Sequence, residues 1–248
     1  MPEYELWITA LFNKYLAGVG NWILSLVGVA AENHDKPWAN YIVMQFVLAA
    51  VVVVVFAILR PMLSVDRPGR MQHVFEIVYE FMGGQADEVV GHHGRDYNHL
   101  FTTIFLFVLF GNLLGVVPAF ESPTMFPPVP LGVALVTFSY YNLMGFKAQG
   151  VGGYLKHFAG PMPLIAPLMV PIEMISHLGR LLSLTVRLYA NMFAGEQVIF
   201  VFMGLVPLVV PAVFMGLHIF VAFLQAFVFA LLTMIYVSGA VSHETATA

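Results

Sequence analysis

The sequence predicts an all-α polytopic membrane protein. Five transmembrane helices are expected, with an interfacial amphipathic helix after the first and a hairpin of two long helices at the end. Two observations carry this fold class. Of 248 residues, 60% are hydrophobic and only 10% charged, with a mean hydropathy of +0.85; a soluble domain carries about a quarter charged residues. The apolar residues also fall in uncharged runs of about 20, the length a helix needs to cross a hydrocarbon core about 30 Å thick. The net charge of −4 points to no nucleic acid, and the lack of cysteine excludes disulfides, thiolate chemistry and cysteine-ligated clusters.

Residues 1–39 form an N-terminal extracytoplasmic or interfacial segment. Its "WILSLVGVAAEN" has the look of a short signal-peptide core, but Glu3 and Glu5 ill suit the positive region that precedes one. An interfacial or partly inserted helix is expected here, with a cleaved signal as the lesser reading. The integral membrane domain covers 40–242, with spans near 40–60, 98–117, 129–147, 163–203 and 208–241. The first span stops at Arg60 and Pro61, the second at Pro118. The third is bounded by "ESPTMFPPVP" and Lys147. From Pro161 the apolar character runs almost to Val241, too long for one crossing. The prolines of "GLVPLVVP" (204–211) divide it into two long helices. Residues 243–248 are a polar tail.

Between the first two spans, residues near 68–91 read as an amphipathic helix. Met71, Val74, Phe75, Val78, Phe81 and Met82 recur at helical spacing, while Glu76, Glu80 and Asp87 share another face. Such a helix lies in the membrane interface or against partner helices; a solvated connector is the alternative. Of the ten Lys and Arg, six (Arg60, Arg67, Arg70, Arg95, Lys147, Lys156) fall in the connections after spans one and three. The connections on the other side hold none. The positive-inside rule then puts the N-terminus outside and the C-terminus in the cytoplasm.

The fourth span carries charge where charge is costly. Glu173, His177, Arg180, Leu184, Arg187 and Asn191 step by four and three residues, which draws one stripe along a helix. Glu196 is half a turn away from Arg187. At about 1.5 Å per residue, Glu173 lies roughly 21 Å from Arg187 in one direction and Glu196 roughly 13 Å in the other. Two acids thus approach opposite surfaces with a fixed cation between them. A guanidinium keeps its proton, so Arg187 pairs with or repels charge and does not relay it. In the fifth span His218 and Gln225, seven apart, share a face, with Tyr236 near the same line. An antiparallel hairpin would set His218 level with Glu196, a plausible proton relay, and bring Gln225 towards Arg187. Blander roles stand beside these: Arg180 as a snorkelling anchor or partner of Glu173, His177 bonded within the bundle, Asn191 and Gln225 as helix–helix glue.

"RLLSLTVRLYANMFAGEQV" (180–198) followed by "HIFVAFLQAFVFALLTMIYVSGA" (218–240) closely resembles subunit a of the bacterial F-type ATP synthases. The five-span plan agrees over residues 40–242. The resemblance implies a stator subunit of the membrane sector beside a rotating c-subunit ring. Two offset proton half-channels would reach the ring from opposite sides, coupling proton flow to ATP synthesis or hydrolysis. The family's essential arginine matches Arg187, facing the c-ring carboxylate. Its outer half-channel matches Asn191, Glu196, His218 and Gln225. Its inner one matches Glu173 and Ser176, with His177 on the same stripe. The family also implies peripheral-stalk b subunits and other synthase subunits as partners, besides the lipid bilayer, and a place in the cell inner membrane. One departure is a missing aspartate in the segment leaving span two, where Glu121 is the candidate substitute.

No cofactor is expected, and no catalytic site on this chain alone, since the G-x-x-x-x-G-K-[ST] nucleotide loop is missing. Three other readings remain open. An ion-coupled secondary transporter would use Arg187 to bind an anion, though such proteins usually show repeats and broken helices. A haem-bearing electron-transfer subunit would use His177 and His218 as axial ligands. A zinc site would use His92, His93 and His99 of "GHHGRDYNH".

Overall fold

The computed structural model describes residues 5–27, 36–64, 68–91, 94–117, 120–159, 166–206 and 209–241. Among them are seven α-helices and no strand: α1 (Trp7–Val27), α2 (Asn40–Leu59), α3 (Arg70–Val90), α4 (Asn98–Leu114), α5 (Pro128–Ala159), α6 (Ala166–Leu205) and α7 (Val209–Val241). Among the described residues, five stretches are long and apolar enough to cross a membrane: Asn40–Met62, Gly94–Leu114, Pro128–Gly150, Pro167–Leu205 and Val209–Val241.

α2 is uncharged throughout and gives way at Pro61 to a single 3-10 turn, Arg60–Met62. α3 ends at Gly91, whose φ of 92° lies in the left-handed region that suits glycine. α5 is interrupted at Gly150 (φ 71°). Just before it, the Gln149 amide donates to the Ala240 carbonyl at 2.9 Å, tying α5 to the end of α7. α6, with 40 residues, is about 60 Å long, roughly twice the hydrocarbon thickness. It therefore tilts or protrudes.

The core lies where α4, α5, α6 and α7 meet. Phe101 and Phe105 of α4, Tyr141 of α5, Leu188 and Met192 of α6 and Phe229 of α7 are all almost fully buried in it. One side of α6 stays outside this packing, with Leu178, Leu182, Val186 and Phe193 exposed.

α3 leaves most of its apolar residues facing outward, as a helix in the membrane interface does. Of the six apolar residues expected on one face, only Met82 is buried; Met71, Val74 and Phe81 remain exposed. The helix docks instead through Gln72, Met82, Gly83 and Ala86. Gly83 is small enough for Asn98 of α4 to approach and donate to the Tyr79 carbonyl at 2.9 Å. α1 is clipped to the chain entering α2. Asn13 donates to the Trp38 carbonyl and accepts its N–H, and the Trp38 indole donates to the Leu16 carbonyl.

Candidate functional site

The polar groups of the membrane helices gather at three levels along α6. The first surrounds Glu196. Its Oε1 accepts the backbone N–H of Ser122 at 3.0 Å. Ser122 lies in the connection between α4 and α5, whose 3-10 turn Pro123–Met125 folds back onto α6. The carboxylate fits because position 115 is glycine; a Cβ there would stand 2.5 Å from Oε1. From Ser122 a buried polar chain continues. Ser122 Oγ lies 3.1 Å from the Gly111 carbonyl oxygen and 2.7 Å from Thr124 Oγ1. Thr124 Oγ1 lies 2.6 Å from Asn112 Oδ1, and the Asn112 amide donates to the Ala222 carbonyl of α7 at 3.3 Å. Two hydroxyl protons serve three contacts, so one contact at a time lacks its proton.

His218 of α7 is buried beside this group. Its ring presses on Gly195, where even a methyl group would collide with Nδ1. His218 is thus set at the level of Glu196 along α6, against the residue before it, while the Glu196 carboxylate is turned to Ser122. His218 Nε2 is buried with no hydrogen-bond partner among the described residues. A buried polar atom of this kind requires water or another partner.

The middle level holds Arg187. Its guanidinium is partly exposed, donates to Ser183 Oγ at 3.2 Å, and forms no ion pair among the described residues. Gln225 makes no hydrogen bond to it among the described residues. Asn191, one turn further along α6, donates instead to Gln225 Oε1 at 2.9 Å. Asn191 supplies the short donor on the side facing α7, while the Arg187 side chain reaches back one turn to Ser183.

The third level lies towards the start of α6. Glu173 Oε1 is 3.3 Å from His177 Nε2, and His177 Nδ1 is 2.8 Å from Tyr141 Oη of α5. Arg180 does not pair with Glu173; it lies over the Tyr236 ring at 5.4 Å, a cation–π contact. Ser176 is exposed and hydrogen-bonds to none of these groups. The stripe therefore runs along the edge of the packed face, with His177 and Leu184 buried and Arg180 and Arg187 half-buried.

Two expectations fail on distance or lie outside the described residues. A shared haem is excluded because His177 and Gly195, the residue touching His218, are 18 positions apart on one helix, about 27 Å. His92 and His93 lie outside the described residues, and among those described no three His, Asp or Glu side chains cluster to hold a metal ion. Sequence reasoning missed Ser122, Thr124, Asn112, Gly115, Gly195 and Tyr141. Their only linear signal is the small polar run "ESPT" between two spans and a glycine preceding Glu196.

Residues 42–238 match the family described as ATP synthase A chain. ATP synthase subunit a of Solibacter usitatus (strain Ellin6076) is 61% identical over 234 residues, covering 94% of this chain and 100% of the relative. The subunit a of Koribacter versatilis (strain Ellin345) is 45% identical over 243 residues, 98% and 99% of the two chains. That of Sulfurihydrogenibium sp. (strain YO3AOP1) is 42% identical over 204 residues, 82% and 98%.

Proposed function

The chain belongs to the ATP synthase A chain family, and from that premise we propose that Arg187 separates two proton half-channels and pairs with a carboxylate brought to it by another subunit. Membership makes the chain a proton-conducting component of the membrane sector of a multisubunit ATP synthase. It leaves the secondary-transporter and haem readings without support.

One observation carries the proposal. Arg187 is a permanent cation within a membrane helix, and no described carboxylate neutralises it. A charge in such a position is costly unless its partner comes from elsewhere. Val186 beside it is exposed, in line with Leu182 and Leu178. That apolar face of α6 suits the c-ring helices, whose lipid-facing carboxylates would pass Arg187 one at a time.

On the outer side, protons reach the ring carboxylate through Glu196, His218, Asn191 and Gln225. His218 lies against Gly195, next in sequence to Glu196, and His218 Nε2 and Gln225 Nε2 are buried polar atoms in need of a partner, which water in a half-channel supplies. On the inner side, Glu173 and His177, with Ser176 at the exposed edge, carry protons away. Between the two, Arg187 cannot release a proton and so blocks a direct leak. The nucleotide chemistry belongs to other subunits, and this chain has no catalytic site of its own. Peripheral-stalk b subunits hold it against rotation. The cytoplasmic connections follow Arg60 and Lys147, with the N-terminus outside the cell inner membrane.

The test is crosslinking in the assembled complex, which this cysteine-free chain suits. Val186→Cys is expected to crosslink to a cysteine placed beside the ring carboxylate, and Leu188→Cys, fully buried, is not. Equal yields at both positions would show that this face does not meet the ring.

A further inference from the structure

A buried tyrosine outside the sequence-derived pathway is bonded to its inner end. Tyr141 is 2% exposed and His177 7%, so the 2.8 Å contact between Tyr141 Oη and His177 Nδ1 is shielded from bulk water. On the other side of the ring, Nε2 is 3.3 Å from Glu173 Oε1, and the Glu173 side chain is 28% exposed. The three residues form a line leading from the packed interior of the bundle to a carboxylate in contact with its surroundings. We propose that Tyr141 is a positioning residue of the inner half-channel, fixing His177 between itself and Glu173 so that the imidazole hands protons to that carboxylate. This rests on the inner-channel role of Glu173 given above.

The hydrogen-bond chemistry is specific. A histidine ring nitrogen is either a donor or an acceptor, and the neutral ring has one of each. With Nδ1–H donating to the Tyr141 hydroxyl oxygen, the bare Nε2 is left on the side of Glu173. Nε2 takes a proton from water in the half-channel, and the imidazolium then has Nε2–H aimed at the carboxylate. Transfer of that proton to Glu173 returns the ring to the same neutral tautomer, with one proton in and one out at Nε2. Glu173 then releases the proton to water. Tyr141 holds Nδ1–H throughout, which a hydroxyl oxygen permits and a phenyl group does not.

The surroundings hold the ring in this plane. The Tyr141 ring lies tilted on the imidazole at 5.7 Å, and Phe138 meets it edge-on at 6.3 Å. From α7, Tyr236 packs on Tyr141 at 6.0 Å, and the Arg180 guanidinium lies over the Tyr236 ring at 5.4 Å. Among the described residues, Glu173 and Arg180 on α6, Tyr141 on α5 and Tyr236 on α7 are charged or titratable groups of this cluster.

The experiment uses the whole ATP synthase in inverted membrane vesicles, with ATP-driven proton pumping measured while the pH of each side is set separately. Tyr141→Phe keeps the ring packing and removes the hydroxyl. It is expected to lower flux about fivefold, the scale of one hydrogen bond, and to displace the pH profile only for the side that Glu173 reaches. His177→Gln can bond both neighbours but cannot take up a proton, so it is expected to assemble normally and to lose flux at least as strongly. The double variant should be no slower than His177→Gln, because residues acting through one chain are not additive. Wild-type flux in Tyr141→Phe, full flux in His177→Gln, multiplied losses in the double variant, or a profile moved from the opposite side would each overturn the proposal. Arg187→Ala run in parallel reports on the underlying reading, since pumping by that variant would remove the half-channel scheme itself.

Discussion

The two ends of α6 hold their carboxylates by different means. Glu173 is bound by His177, four residues further along its own helix. Glu196 is bound by the backbone N–H of Ser122, 74 residues earlier in the chain. The first contact follows from helical periodicity alone. The second exists only because the Pro123–Met125 turn folds under α6 and because Gly115 leaves room for the carboxylate. Midway, Arg187 has neither kind of carboxylate partner among the described residues and leans on Ser183. Among the described residues the ends of the helix find partners within the chain and the centre does not, as the proposed pairing of Arg187 with another subunit's carboxylate requires.

Four substitutions, one of them paired with a control, break or sharpen this contrast. The largest effect is expected at the unpaired centre. Arg187→Ala abolishes ATP synthesis and ATP-driven proton pumping in the assembled complex, with ring assembly retained on gels; coupled pumping at the wild-type rate would refute the scheme.

Gly195→Ala comes next, because its new methyl group must displace the His218 ring. Overpacking of this kind costs about 1–3 kcal/mol, and proton flux should fall about tenfold or more. Gly179→Ala on the same helix, where a Cβ meets nothing within 4 Å, should pump normally. Similar losses in both variants would mean that the crowding at His218 is not the cause.

Thr124→Val tests the tertiary end more gently. It strands Asn112 Oδ1 in a buried site and should destabilise the subunit by about 1–3 kcal/mol, read as a lower midpoint of thermal release from the purified complex. An unchanged midpoint would show that the polar chain behind Glu196 contributes nothing to holding it.

The smallest effect is expected far from α6. Lys36 and Asn13 hydrogen-bond to Glu5 and hold its carboxyl below the usual range. A carboxylate depressed in the folded state stabilises above its unfolded pKa, about 4.3, and the stabilisation is lost as pH falls through the lower folded value. Lys36 is well exposed, so solvent screening keeps the term under about 1 kcal/mol. Glu5→Gln should flatten the acid limb of thermal stability slightly; a steeper limb would contradict the sign.

Much of this was legible in the linear chain, for a definite reason. A membrane span is a composition and a length, and the absence of charge between Asn40 and Leu59 is visible without any partner. The stripe from Glu173 to Asn191 is likewise a matter of 100° per residue. Burial within that stripe was not legible. That His177 is enclosed while Arg187 stays at the edge depends on which side α5 and α7 occupy. The apolar face of α3 shows the same limit. Its periodicity announced a face, but small residues at Gly83 and Ala86 set the actual contact.

The sequence by itself determined the spans, the stripe of ionisable groups on α6 and the uncompensated cation at its centre, because helix geometry and the cost of charge in lipid act residue by residue. Only the tertiary structure decided that Glu196 turns to Ser122, that Gln225 hydrogen-bonds with Asn191 and not with Arg187, and that Tyr141 closes on His177. Each of these joins segments distant in sequence, and their register comes from how glycines and side chains interlock between helices.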